Sequence, residues 1–167
     1  MKLKKNLVLI GMMGVGKSLI GSLLSKKLNL KFFDIDRLIE KKNNMKISEI
    51  FNKKGEIYFR KEEEEISLEH LKIQNCIIAL GGGAFINPKI REKVLQKSIS
   101  IWLDIDLNTI TKRLKFNKRR PIVNKYGLGK IKKIFLQREK IYSLAKHKLN
   151  CRNLTKKEIM DIIIKII

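Results

Sequence analysis

The chain has 167 residues, 38 Lys plus Arg against 16 Asp plus Glu, and a formal net charge of +22. That length suits one domain, 1–167, able to bury its own core without a disulfide or zinc staple. Hydrophobic residues at 44% with charged residues at 32% exclude a disordered or collagen-like chain. Cys76 and Cys151 lie too far apart in sequence for a Cys-x-x-Cys pair, so two buried free thiols in a reducing compartment are expected.

In chain order, Asn6 to Ile10 is a short apolar run ending in glycine, which suits a buried parallel strand. Lys17 to Leu28 places Leu19, Ile20, Leu23, Leu24 and Leu28 at helical spacing. Leu30 to Ile35 reads as a second strand, Asp36 to Asn43 and Ile47 to Lys53 as short helices, and Gly55 to Leu71 as a longer, highly charged one. Cys76 to Leu80 is a third strand, ended by Gly81-Gly82-Gly83; Pro88 to Gln96 is helical, with proline in its first turn. Ser98 to Leu103 is a fourth strand and Leu107 to Lys115 a helix. Asn117 to Gly129, polar and basic with Pro121, Gly127 and Gly129, reads as a long mobile loop. A helix over Lys130 to Lys146, a fifth strand over Lys148 to Cys151 and a helix over Thr155 to Ile166 complete the chain. Alternating strands and helices predict an α/β fold, a five-stranded parallel sheet covered by helices on both faces.

The charge is a matter of composition first. The chain holds 30 Lys, 27 Ile and 12 Asn but only 8 Arg, and its lysines are spread along the whole length without interleaved aromatics. A specific nucleic-acid partner is therefore not expected. Where lysine serves almost everywhere, each retained arginine marks a place where a planar, two-pronged donor is wanted. The basic start resembles an export signal, but Lys17 interrupts its apolar stretch and no small-x-small site follows; no run approaches a membrane span. A cytoplasmic protein is expected.

Gly11-Met-Met-Gly14-Val15-Gly16-Lys17-Ser18 matches G-x-x-x-x-G-K-[ST], between an apolar strand and an amphipathic helix. In such a loop backbone N–H groups surround a nucleoside triphosphate, the helix start adds its dipole, the lysine reaches the β- and γ-phosphates and the serine offers a hydroxyl to Mg²⁺. Asp34 and Asp36, two apart at the end of the second strand, are expected to point into one crevice, one supporting Mg²⁺ and the other accepting a proton from an attacking hydroxyl; Asp36 also suits a helix N-cap. Arg60 and Glu63, three apart on a helix, can pair on one face, although the run Glu62 to Glu65 also suits a solvated charge cluster. Gly81-Gly82-Gly83 allows close approach of a ligand to backbone, or simply a flexible turn. Arg119, Arg120 and Pro121, with Lys112, Arg113, Lys115 and Lys118, form the densest basic stretch and suggest a lid that closes over the nucleotide. Arg138 can face the same crevice.

In these motifs, taken together and in order, the chain resembles shikimate kinase, a small member of the nucleoside-monophosphate-kinase-like group. They are the Gly11–Ser18 loop, Asp34-x-Asp36, Gly55-Glu56-x-x-Phe59-Arg60-x-x-Glu63, the glycine triplet, Arg120-Pro121, and Arg138 four residues before Tyr142. The resemblance implies a three-layer P-loop kinase fold with substrate-binding helices at about 35–63 and a mobile lid at about 115–129. It implies ATP as co-substrate, Mg²⁺, and shikimate as acceptor at its 3-hydroxyl, in a monomer. Asp36, Arg60, Gly81, Gly82, Gly83 and Arg138 would bind shikimate, with Asp36 as candidate base and Glu63 orienting Arg60. Gly14, Val15, Gly16, Lys17, Ser18, Arg113 and Arg120 would bind ATP, with Arg113 against adenine and Lys17 and Arg120 on the transferring phosphoryl group. Ser18 and Asp34 would serve the metal. Two departures stand out: Ile122 and Val123 follow the lid proline where leucines are usual, and Arg119 doubles the lid arginine. The alternatives are a kinase of another small polyol acid, such as gluconate, and a basic ATP-binding protein associated with nucleic acid.

Overall fold

The computed structural model describes residues 3–115 and 122–167. Its elements run β1 (Asn6–Ile10), α1 (Lys17–Leu28), β2 (Lys31–Asp34), α2 (Ile35–Asn43), α3 (Ile47–Lys53), α4 (Gly55–His70), β3 (Cys76–Ala79), a 3-10 turn (Ala84–Ile86), α5 (Pro88–Lys97), β4 (Ser98–Asp104), α6 (Leu107–Lys115), α7 (Ile122–Tyr142), β5 (His147–Asn150) and α8 (Lys156–Ile166). The strands form one parallel sheet in the order β2-β3-β1-β4-β5. β1 is central: Leu9 pairs with Ala79 on one side and Ile101 on the other. The chain thus builds outward from β1 in both directions, and the crevice at the carboxyl ends of β1, β3 and β4 is where an open α/β sheet takes its ligands.

Every residue of β1 and β3 is buried, the mark of strands covered on both faces by helices, and the reason their sequences are continuous apolar runs rather than alternating ones. α1 packs with α8, while α4 lies against α2, α3 and α5. Helix ends follow local chemistry. Asn87 caps α5, accepting from Lys89 N at 2.9 Å and Ile90 N at 3.4 Å, with Pro88 at the first position. Thr155 and Glu158 form a reciprocal capping box at α8. Asn29 and Asn44 end α1 and α2 in the left-handed conformation, φ 52° and 49°; in this asparagine-rich chain they do what glycine usually does at a helix terminus.

Element ends shift by a few residues, the helix expected to reach Lys146 closing at Tyr142 and the fifth strand being His147–Asn150, and two further expectations change. The loop foreseen over 117–129 is helical from Ile122 onward, so Gly127 and Gly129 sit inside α7. A glycine weakens a helix interior by only about 1 kcal/mol relative to alanine, which packing such as that of buried Ile131 readily offsets. Lys118, Arg119, Arg120 and Pro121, expected to form part of a lid, lie outside the described residues. The second change is at the end of β2, where Ile35 already begins α2, so Asp34 and Asp36 are not related by strand alternation. The cap considered for Asp36 falls instead on Asp34, whose Oδ1 accepts from Arg37 N at 3.3 Å.

Both cysteines are buried and free. Desolvation pushes each thiol up to about 11, which keeps it protonated and poorly nucleophilic. Among the described residues no helix is long and apolar enough to cross a membrane.

Candidate active site

The link from β1 to α1 is a glycine-pinned loop. Gly11 has φ 141°, and a Cβ there would come within 2.6 Å of the Leu103 carbonyl oxygen, so only glycine lets the loop leave the sheet at this point. Gly16, at φ 107°, is the N-cap of α1, and no acidic side chain occupies the first turn to neutralise the positive helix end. Lys17 begins α1 and is 8% exposed. Its Nζ donates to the carbonyls of Gly11 at 2.7 Å and Met12 at 3.0 Å, which stretches the side chain across the loop. Ser18 follows it in the first turn, half-buried. Arg113, on α6, reaches the outer side of the same loop, with Nη1 3.3 Å from both the Gly14 and Val15 carbonyl oxygens.

The glycine triplet after β3 is lined residue by residue by side chains from three other helices. A Cβ at Gly81 would collide with Glu63 Oε1 and come within 2.7 Å of Asp36 Oδ1. One at Gly82 would lie 3.1 Å from Met13 N and 3.5 Å from Arg138 Nη1. One at Gly83 would strike the Arg60 guanidinium, whose Cζ would be 2.9 Å away. The triplet is therefore a packed surface rather than a loose turn. It gathers Asp36 (α2), Arg60 and Glu63 (α4) and Arg138 (α7) against the phosphate loop at Met13.

Charge in this cluster is heavily constrained. Arg60 Nη1 donates to Glu63 Oε2 at 2.6 Å, and its Nε and Nη2 lie 3.3 and 3.2 Å from Glu56 Oε1. Partial burial works against the charge on Arg60, but Glu63 and Glu56 outweigh it and its pKa rises. Glu63 is only 2% exposed. Desolvation moves its carboxyl above the usual carboxylate range; Arg60 opposes the shift, and the neighbouring Asp36 adds to it. Arg138 Nη1 donates to the Gly82 carbonyl at 3.0 Å, and the Tyr142 hydroxyl donates to the same oxygen. Tyr142 is 1% exposed, faces Trp102, and has its hydroxyl pushed up to about 12 by burial. In the sequence Tyr142 is only a landmark; its spacing from Arg138 (i, i+4) is the sign that both sit on one helix face.

Of the predicted residues, the structure brings Lys17, Ser18 and Arg113 to the phosphate loop and Asp36, Arg60, Glu63 and Arg138 to the adjoining glycine triplet. Asp34 ends β2, 7% exposed, with Oδ2 3.8 Å from Arg37 Nε. Arg120 is outside the described residues.

A phosphate loop that abuts a glycine triplet lined by Asp36, Arg60, Glu63 and Arg138 is the layout of a P-loop small-molecule kinase. Relatives narrow this further. A shikimate kinase family model matches residues 13–167. A shikimate kinase from Sulfurihydrogenibium sp. is 40% identical over 157 residues, covering 94% of this chain and 94% of that one. Among solved structures, shikimate kinase from Aquifex aeolicus superposes with a TM-score of 0.85 at 36% identity, over 96% of this chain and 94% of that one. Shikimate kinase from Acinetobacter baumannii in complex with shikimate superposes with a TM-score of 0.90 at 27% identity, over 97% and 92%. The chain belongs to the shikimate kinase family.

Proposed function

We propose that this chain transfers the γ-phosphate of ATP to the 3-hydroxyl of shikimate, giving shikimate 3-phosphate and ADP on the route to chorismate and the aromatic amino acids. The observation that carries the reading is the meeting of Asp36, Arg60 and Arg138 at the glycine triplet, in contact with the phosphate loop at Met13. Arg60 and Arg138 supply two guanidinium forks for the acceptor's carboxylate, with the triplet as its floor. Asp36 orients the hydroxyl and takes its proton, and Glu63 holds Arg60 in place. Lys17 and the amides of Gly14, Val15 and Gly16 neutralise the phosphates, and Arg120 joins Lys17 on the transferring group. Arg113 contacts the nucleotide from the outer side of the loop, against adenine.

Mg²⁺ fits the donor set. Among the described residues no cluster of three or more His, Cys, Asp or Glu could hold a metal by itself. One hydroxyl from Ser18 and a carboxylate, Asp34, acting through water suit an ion that keeps water and phosphate oxygens as its other ligands. When bound it neutralises phosphate charge. We further propose a cytoplasmic monomer without a specific nucleic-acid partner, in keeping with its scattered lysines and its two free cysteines.

A coupled assay of ADP release with shikimate, and with gluconate as the contrasting polyol acid, tests the reading. Turnover with gluconate alone, or with neither, would remove it. Within that assay, Arg60→Lys is expected to raise the KM for shikimate on the order of tenfold, because a lysine keeps the charge but loses the fork. The KM for ATP should be nearly unchanged. An equal loss for both substrates would make Arg60 a structural residue only.

A further inference from the structure

The run Glu62–Glu65 has the look of a solvated charge cluster, yet Glu62 is 7% exposed and takes no part in the cluster at the glycine triplet. Successive residues on a helix turn by about 100°, so Glu62, Glu63 and Glu64 leave α4 on three different sides. Glu62 Oε1 accepts from Lys42 Nζ at 3.0 Å and its Oε2 from Asn43 Nδ2 at 3.4 Å, both near the end of α2. Asn43 extends the contact: its Oδ1 accepts from Tyr58 Oη at 2.8 Å and Lys54 Nζ at 2.9 Å. Glu63 turns inward to Arg60. Glu64 accepts from Asn87 Nδ2 at 2.6 Å and Lys89 Nζ at 2.7 Å, at the start of α5.

The partners matter because of what their elements carry. α2 bears Asp36 at its other end, and Asn87 follows the glycine triplet by a single 3-10 turn, closed by Ala84 N to Gly81 O at 3.1 Å and Asn87 N to Ala84 O at 3.1 Å. We propose that Glu62 and Glu64 are positioning residues that fix the rotation of α4 between α2 and the glycine-triplet turn, and so hold the Arg60 guanidinium in register with Asp36 and Gly83. This role rests on the proposed shikimate site. Lys42 is half exposed, so its ion pair alone contributes little. The leverage lies in the buried carboxylate, which must keep its donors or move the helix that carries it.

The test is steady-state kinetics of the full chain with shikimate and ATP varied separately. Glu62→Ala is expected to raise the KM for shikimate by about tenfold while the KM for ATP stays within about twofold. Glu62→Gln, whose amide oxygen still accepts from Lys42 or Asn43, should recover most of the loss. Glu64→Ala should give the same selective rise at about threefold. An unchanged shikimate KM in folded variants, an equal rise in both constants, or no rescue by glutamine overturns the role. Should Glu62→Ala fail to fold, Glu64→Ala decides by the same criterion, since Glu64 is partly exposed. A wild-type chain lacking shikimate-dependent ADP release would instead remove the proposed activity, and this role with it.

Discussion

Replacing Asp36 by asparagine is expected to lower kcat by about 10²–10⁴-fold, the usual contribution of a positioned general base. The change is nearly isosteric, so the contact at Gly81, where Asp36 Oδ1 and Glu63 Oε1 converge, should persist and circular dichroism should show an unaltered fold. What asparagine cannot do is accept the proton of an attacking hydroxyl. A second readout follows from the same contact. Asp36 is one cause of the raised pKa of Glu63, so the substitution should move the Glu63 carboxyl back toward its ordinary value, visible as a lower titration midpoint by NMR. The sign is fixed: a neutral amide no longer disfavours the ionised form of Glu63, so deprotonation starts at lower pH. An unchanged kcat would rule out the base role even if the titration shifts.

The other large effect is expected at Lys17. Methionine matches its unbranched stem and suits a site where the lysine is only 8% exposed, so Lys17→Met should fold. It removes the ammonium held on the Gly11 and Met12 carbonyls, and with it the cation proposed to follow the γ-phosphate through transfer. The expected loss in kcat is about 10²–10³-fold, the scale measured for removing one preorganised charge-stabilising donor. The KM for ATP should rise and the KM for shikimate stay close to wild type. The two substitutions thus separate the halves of the site: Asp36→Asn acts on the acceptor, Lys17→Met on the donor. If Lys17→Met retained full kcat, the phosphate loop would have to bind nucleotide without driving its chemistry.

Much of this was readable from the amino-acid sequence because the informative features are local. The strand at Asn6–Ile10, the helices at Lys17–Leu28, Ile47–Lys53 and Leu107–Lys115, and the loop between the first two end where periodicity and glycine placement say they should. Near Asp34 and Asp36 the sequence is ambiguous, because strand and helix meet there without an intervening turn residue, and i, i+2 spacing means one thing on a strand and another in a first helical turn. Polar composition with Pro121, Gly127 and Gly129 favours a loop over 117–129, whereas α7 begins at Ile122. The 3-10 turn at Ala84–Ile86 has no hydrophobic period to announce it. Four consecutive glutamates look alike in a string; only the neighbours of α4 show that Glu62, Glu63 and Glu64 have different destinations. Tyr142 illustrates the same limit, since its acceptor, Gly82, is sixty residues away.

The contact between Gly82 and Met13 has a consequence for ligand design. A side-chain carbon at Gly82 would be only 3.1 Å from the Met13 amide nitrogen, so under the proposed assignment the acceptor and nucleotide sites meet across closely apposed main chain. On that assignment, an inhibitor that joins a nucleotide tail to a ring acid is expected to work best with a short tether.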